Sequence, residues 1–589
     1  MLDNFQRPFS EKEDQFWNTE KYTMEQKDTQ PIDIAPKFTL PAKSIDQWPK
    51  FVNHKTICAS LPLSSFESGG YSIDQQITEK ISVIKNETGV VKPEYPGKRE
   101  EIPTSYFRKL IKSSGIYALS SLASPLVALV LAPFLTRNLS HSEYGALVIL
   151  NTAIALIAGI TQLGLNSAFF RAYNYDYETK SDRFRVLSTV VMLLSLTSMC
   201  TAFTMMIAAP WLSMLLFNSE SFSNEVRIAG VVILLQNLTV PGFAWMRAES
   251  RAMIFSMLSI ANLLVVLGAN LILVGALQMG IEGSLIATGS GFAFVVICTL
   301  PIIVFRSGLR LHLNIAHGLL TFGLPNVSNY VSIWVLQLSD RYLLGRLGSL
   351  SQTASYAVAY SLGGVVSVVV LSPFALAWPS ALFSIAKKDD AANIFRLVFR
   401  WYSFILLFAT FALSLVGMIV LNLFFPPSYQ SAAFIIPIIA LSTMFFGVYN
   451  IFTTGISVKR KTWFAVVFTT VAALVNVGLN LILIPQYGAI GAALSTLFAY
   501  AILALIAYIV NQRIYPIPYE ISTFIVALII GIGFFTGGIF LSQNQGTYEA
   551  WGISLGALGL YSGCLVLLAK LSIRWSKDTS RLSKASSLS

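Results

Sequence analysis

The chain has 589 residues, 54% of them hydrophobic and only 12% charged, which is too apolar for a soluble globular protein. A net charge of +11 does not make it a nucleic-acid binder, because the excess sits in short loops between apolar runs. Its four cysteines lack metal-ligand spacing and there is no Walker A sequence, so neither a metal nor ATP is written into the chain.

Residues 1–105 alternate polar runs with prolines and contain no apolar run of membrane-spanning length. Up to Lys112, sixteen basic residues balance sixteen acidic ones. The segment reads as mostly disordered and cytoplasmic, with a short hairpin pattern at 81–92 and no apolar h-region of a cleavable signal at its start.

From Ile111 to Leu571, apolar runs of about 20 residues follow one another. Turn punctuation divides them into fourteen spans, at 113–136, 144–165, 184–208, 228–246, 252–275, 281–305, 317–340, 352–378, 397–424, 431–455, 462–484, 488–510, 519–541 and 550–571. The weakest junctions fall at Pro210 and at Pro426–Pro427. Alternate loops and the C-terminal tail carry 21 basic residues, and the other loops carry four: Arg137, Arg227, Arg341 and Arg346. That asymmetry places both termini on the cytoplasmic side, and a cytoplasmic membrane is the expected setting.

The chain also repeats itself. VLGANLILVGALQMGIEGSLIA at 266–287 matches NVGLNLILIPQYGAIGAALST at 476–496, aligning Asn270 with Asn480 and Gly280-x-x-Gly283 with Gly488-x-x-Gly491. A weaker match sets 137–145 against 346–357, with Tyr144 on Tyr356. Spans one to six therefore recur as spans seven to twelve. Six is even, so the two halves point the same way across the membrane. The fold class is an all-α polytopic bundle of two six-helix lobes plus two added C-terminal helices. The domain reading is 1–105 polar segment, 106–316 N-lobe, 317–515 C-lobe, 516–575 last two spans and 576–589 tail.

Polar residues then mark candidate faces. Span one carries Ser113, Tyr117, Ser120 and Ser124 at helical spacing, and span two sets Asn151, Gln162 and Asn166 within about 60° of one another. In span seven, Asn326, Asn329, Gln337, Asp340 and Arg341 fall within about 120°. Carboxamides and hydroxyls on such faces either line a glycan path or join helix to helix. Arg171, Arg247 and Arg251 lie at the cytoplasmic mouth, where a guanidinium fork suits phosphate or simply anchors the span. Asp340 is the acidic residue beyond the N-terminal segment that lies within a span beside a basic partner. It is the candidate for coupling to H+ or Na+, or for pairing with an arginine. Short outer loops and unpaired histidines disfavour an enzyme; no catalytic residue, metal ligand or cofactor is assigned.

Several strings carry a resemblance: FLTRNLSHSEYGAL at 134–147, GLNSAFFRAY at 164–173, FGLP at 322–325, SDRYLLG at 339–345 and AWPSALF at 377–383. In this order they resemble Wzx-type polysaccharide exporters, the O-antigen flippases of the multidrug/oligosaccharidyl-lipid/polysaccharide, MATE-like superfamily. The likeness covers about residues 106–575 and leaves out the N-terminal segment. It implies a two-lobed bundle that flips a polyprenyl-diphosphate-linked oligosaccharide by alternating access, with Arg137, Arg171, Asp340 and Arg341 as the positions that would meet it. The implied partners are that lipid-linked glycan, membrane lipid, a coupling ion, and a polysaccharide polymerase with its chain-length machinery. Two alternatives stay open: a cation-coupled multidrug antiporter, and a membrane enzyme of surface-glycan assembly.

Overall fold

The computed structural model describes residues 130–461, 463–542 and 547–586, all within the unit Glu100–Ser589. The polar face read on span one, the 81–92 hairpin and the rest of 1–129 lie outside the described residues. The first described helix, α1, covers 130–138. A capping box follows: the Ser140 hydroxyl accepts from the Glu143 N–H, and the Glu143 carboxylate accepts from the Ser140 N–H at 2.8 Å. It starts α2, His141–Thr161. Then come α3 (Lys180–Ile207), α4 (Ser223–Ala248), α5 (Ala252–Ala276), α6 (Gly280–Ser307), α7 (Leu313–Leu347), α8 (Leu350–Ala375), α9 (Ala391–Phe424) and α10 (Ala432–Val458).

Twelve described helices are long and apolar enough to cross a membrane. One of them, Trp463–Ile514, has 52 residues. At 1.5 Å per residue it would run about 78 Å, more than twice a hydrocarbon core. Gly488, at φ 56° and ψ −130°, breaks it into α11 (463–487) and α12 (489–514). The last two are α13 (Ile521–Ser542) and α14 (Thr547–Ser586). Spans two to fourteen thus stand where the apolar runs set them. At Pro210 the chain leaves α3 and starts a separate short helix, Ala209–Phe217. The Pro426–Pro427 pair ends α9 in a single 3-10 turn.

The repeat is structural. Gly280 and Gly488 both take positive φ, 60° and 56°, where α5 turns into α6 and α11 into α12. An L side chain is strained at such a φ, which is why glycine recurs at this point of both halves. Asn270 and Asn480, one helix earlier, are both fully buried. Each turns its amide onto the residue four positions back, Val266 O at 2.8 Å and Asn476 Oδ1 at 3.0 Å.

Following the sequence repeat, α1–α6 are named the N-lobe and α7–α12 the C-lobe; the apolar core is not divided evenly between these two sets of helices. At the end that holds Arg137, one continuous cluster runs across both lobes, from Leu147, Ile233 and Leu285 to Tyr356, Ile436 and Ala492. At the other end the N-lobe packs Phe169, Leu187 and Trp245 in a cluster of its own, joined by the first turns of α7. Helices α13 and α14 dock on α9, where Phe411 meets Phe535 at 5.7 Å and Tyr561 at 5.4 Å between ring centroids. Just before α13, Glu520 accepts from Arg396 Nε and Arg400 Nε, each at 2.7 Å.

Candidate functional site

Helix α7 is 35 residues long and outruns the predicted span at both ends, so Asp340 and Arg341 lie inside it and not at its edge. Its side toward the N-lobe follows α2 along most of its length. Gly323, Tyr330, Trp334, Arg341 and Gly345 fall within about 60° on a helical projection. Tyr330 donates its phenolic hydrogen to the Ala155 carbonyl at 2.6 Å, and Trp334 Nε1 donates to the Thr152 carbonyl at 3.1 Å. The Tyr330 ring occupies the space that a side chain on Gly159 would need. Past the end of α2, Gly164 (φ 66°) meets Gly323 backbone to backbone, and a Cβ there would overlap the Gly323 carbonyl.

At the Arg137 end the lobes are joined by single polar contacts. Arg137 Nε donates to Phe424 O at 3.1 Å, and Arg346 donates to Met214 O at 3.3 Å. Ser142 and Ser351 face each other at 3.3 Å. His141 Nε2 lies 3.1 Å from Ser355 Oγ, and its ring packs on Tyr429 with centroids 4.2 Å apart.

Inside the C-lobe, Asp340 is 1% exposed. Its Oδ1 accepts from the Arg341 backbone N–H at 2.8 Å; its Oδ2 accepts from the Tyr356 hydroxyl and from Thr496 Oγ1 at 3.3 Å. Thr496 lies 3.5 Å from Asn476 Nδ2, and Asn480 Oδ1, at the far end of the chain of contacts, is buried without a partner. The Arg341 guanidinium stands 4.0 Å from Asp340 Oδ1, donates to Gln337 O at 3.1 Å and lies 4.3 Å above the Tyr360 ring. The α7 carboxylate thereby meets hydroxyls from α8 and α12 and the guanidinium of its own helix, and Asn476 of α11 stands behind Thr496. Such a set can take up and release a proton or a hard monovalent cation. Among the described residues no three His, Cys, Asp or Glu side chains gather as a metal site.

At the opposite end Arg171 pairs with Asp176 at 3.6 Å and reaches across to α7, with its guanidinium 4.7 Å over the Phe322 ring. Arg247 donates to Asn166 Oδ1 at 3.2 Å and covers Phe170 at 5.0 Å; Arg251 lies 5.2 Å over Trp245. Tyr173 donates to Glu249, and burial first, then that bond, holds its phenol above the usual range.

The residues singled out in the sequence therefore separate. Asp340 and Arg341 share one cluster, while Gln337 adds its backbone carbonyl to it. Gln162 joins α2 to α4 through Asn237 Oδ1 at 3.0 Å, the helix-joining alternative. Asn166 belongs to the Arg247 contact, Arg171 lies near it, and Arg137 sits at the far end of the molecule. Asn151 and Asn326 are exposed, and Asn329 is half-buried. Tyr330, Trp334, Thr496 and His141 escaped sequence reading, because an aromatic or hydroxyl side chain in an apolar run reads as packing. Tyr356 and Asn480 did carry a signal, as positions of the repeat.

A family model described as polysaccharide biosynthesis protein matches residues 134–434. An uncharacterised membrane protein of Methanocaldococcus jannaschii is 23% identical over 222 residues, 37% of this chain and 44% of that protein. The match thus spans less than half the length of that curated relative. Among solved structures, a lipid II flippase MurJ in an inward closed conformation is similar with a TM-score of 0.61 and 15% identity, covering 78% of this chain and 98% of MurJ. An inward-facing multidrug resistance MATE transporter is similar with a TM-score of 0.49 and 14% identity, covering 67% of this chain and 94% of the other. At these identities the MurJ likeness is one of fold.

Proposed function

The chain belongs to the polysaccharide biosynthesis protein family, and from that premise we propose that it moves lipid-linked oligosaccharide units across the cytoplasmic membrane by alternating access. The observation that carries this reading is the unequal joining of the two lobes. One shared apolar core unites them at the Arg137 end, while at the Arg171 end the N-lobe core takes in only the first turns of α7 from the C-lobe. Two lobes that can rock about such a junction expose a path to one side at a time. The loop charges assign the Arg171 end to the cytoplasm and the Arg137 end to the outside.

Arg171 and Arg247 are then the first cations that a diphosphate meets on the cytoplasmic side. Arg171 is half-engaged by Asp176 on the surface, an ion pair worth at most about 1 kcal/mol, so a phosphate can displace that carboxylate at little cost. Asn151, Asn326 and Asn329 offer donors and acceptors to sugar hydroxyls further along. Asp340 is the coupling site, because exchange of a proton or Na+ there changes the charge facing Arg341 in a place closed to water. Residues 1–105 and 576–589 are cytoplasmic in this arrangement.

The second reading, a cation-coupled multidrug antiporter, draws on the same buried Asp340. One experiment decides between the two. Purified protein is reconstituted into vesicles with undecaprenyl-diphosphate-linked glycan, and the glycan's exposure to an added glycan-cleaving enzyme is followed. Protein-dependent exposure that falls with Arg171→Ala supports the flippase. Cation efflux without glycan movement replaces it with the antiporter.

A further inference from the structure

We propose that Tyr330 and Trp334 form a stacking platform for a sugar ring of the transported glycan, and that in the closed molecule the same two residues latch the lobes together at mid-membrane. The proposal rests on the glycan-transport reading and adds residues and a recognition mode to it.

The geometry has three parts. Both aromatic rings sit on the α7 side that follows α2, one turn or about 6 Å apart along the axis. Each spends its one polar hydrogen on a backbone carbonyl of the opposite lobe, Tyr330 on Ala155 O at 2.6 Å and Trp334 on Thr152 O at 3.1 Å. Those two carbonyls belong to α2, where the helix's own ladder already uses one lone pair of each, so the aromatic donors can leave without orphaning either carbonyl. The latch is thus reversible by construction. Neither ring is sunk in the core: Tyr330 is 36% exposed and Trp334 half-buried, although both lie midway along a membrane helix.

Around the pair stand the groups that sugar recognition combines with an aromatic face. Asn151 is exposed next to Thr152, and Asn326 is exposed one turn before Tyr330. Asn326 ties only one amide hydrogen to its own helix, at Phe322 O. When the lobes part, the phenol and the indole N–H are released beside these carboxamides. The axial C–H groups of a pyranose can then lie on a ring face while its hydroxyls take the amides and the freed donors. A lipid tail or a bare diphosphate has no use for that combination.

The latch and the platform have separate readouts. In a background without the four native cysteines, spin labels at Ser167→Cys and Thr321→Cys report the separation of α7 from the chain beyond α2. Tyr330→Phe with Trp334→Phe removes the inter-lobe donors and keeps ring faces. Its population of wide distances should rise at least about fivefold, the equivalent of two hydrogen bonds. An unchanged distribution overturns the latch. For the platform, the probes are undecaprenyl diphosphate carrying a short N-acetylhexosamine glycan, and undecaprenyl diphosphate alone. Tyr330→Leu and Trp334→Leu should lower movement of the glycosylated probe at least fivefold relative to the bare lipid, while Tyr330→Phe, which keeps the ring face and loses only one donor, should lower that ratio less than Tyr330→Leu. An equal fall for both probes means a packing role and overturns the platform. If the wild-type protein moves neither probe, the transport reading fails and the platform with it, while the label distances still decide the latch.

Discussion

Gly164 and Gly323 face each other with their backbones in contact, and neither has room for a single methyl group. Gly164 lies beyond the end of α2 in the N-lobe, and Gly323 is about three turns into α7 in the C-lobe. Gly164 has φ 66°, a conformation strained for any L side chain. Gly164→Ala should therefore weaken the closed arrangement by about 1–3 kcal/mol, adding backbone strain to the overlap with Gly323. Gly268→Ala is the control, since nothing lies within 4 Å of a Cβ there and the residue sits in α5. Thermal unfolding in detergent should separate the two variants, with only the first losing stability.

Asp340→Asn keeps the shape of the carboxylate and removes its charge. The Tyr356 and Thr496 hydroxyls retain an acceptor, but Arg341, 11% exposed, loses its counter-charge. Breaking a buried pair from one side costs about 3–5 kcal/mol. If Asp340 is the coupling group, transport by this variant becomes insensitive to imposed pH and Na+ gradients. Flux measured with each gradient in turn checks this, and a flux that still follows either gradient moves the coupling elsewhere.

The Ser142 and Ser351 hydroxyl oxygens are 3.3 Å apart across the lobes, close enough for a disulfide once both residues are cysteine. In protein without its native cysteines, oxidation of Ser142→Cys with Ser351→Cys should stop transport and reduction should restore it. Either single variant should be unaffected by oxidant. Continued transport with the disulfide formed would mean that this end never opens.

Glu520 is 9% exposed and holds two arginines, of which Arg400 is 5% exposed. Glu520→Gln leaves a buried guanidinium without its charge partner, at a cost of about 3–5 kcal/mol. The loss should be local. Hydrogen exchange should rise first at the start of α13, which the pair ties to α9. Arg400→Met combined with Glu520→Leu should recover much of the stability, because a well-packed apolar pair of similar volume replaces the ions.

Much of the architecture is legible in the chain itself. A helix in lipid must satisfy its backbone internally over about 20 residues, so the apolar runs locate α2 to α14 without any knowledge of packing. The repeat is equally local. A glycine with positive φ is needed where α5 turns into α6 and α11 into α12, and the asparagines of the preceding helix accompany it. Asp340 also announces itself, because an acid within a span has to find partners.

The tertiary structure decided which polar residues stand together. On a helical projection Asn326, Asn329, Gln337, Asp340 and Arg341 share one arc. In three dimensions Asp340 turns into its own lobe, towards Tyr356 and Thr496, and Asn326 stays exposed. Gln162 and Asn166 lie one turn apart, yet one joins α4 through Asn237 and the other meets Arg247. A helical wheel gives an angle; the neighbour found at that angle depends on how six helices pack in each lobe and how the lobes meet. Tyr330 and Trp334 show this most plainly. In sequence they are two aromatics in an apolar run, and only the approach of α2 makes them donors that bridge the lobes.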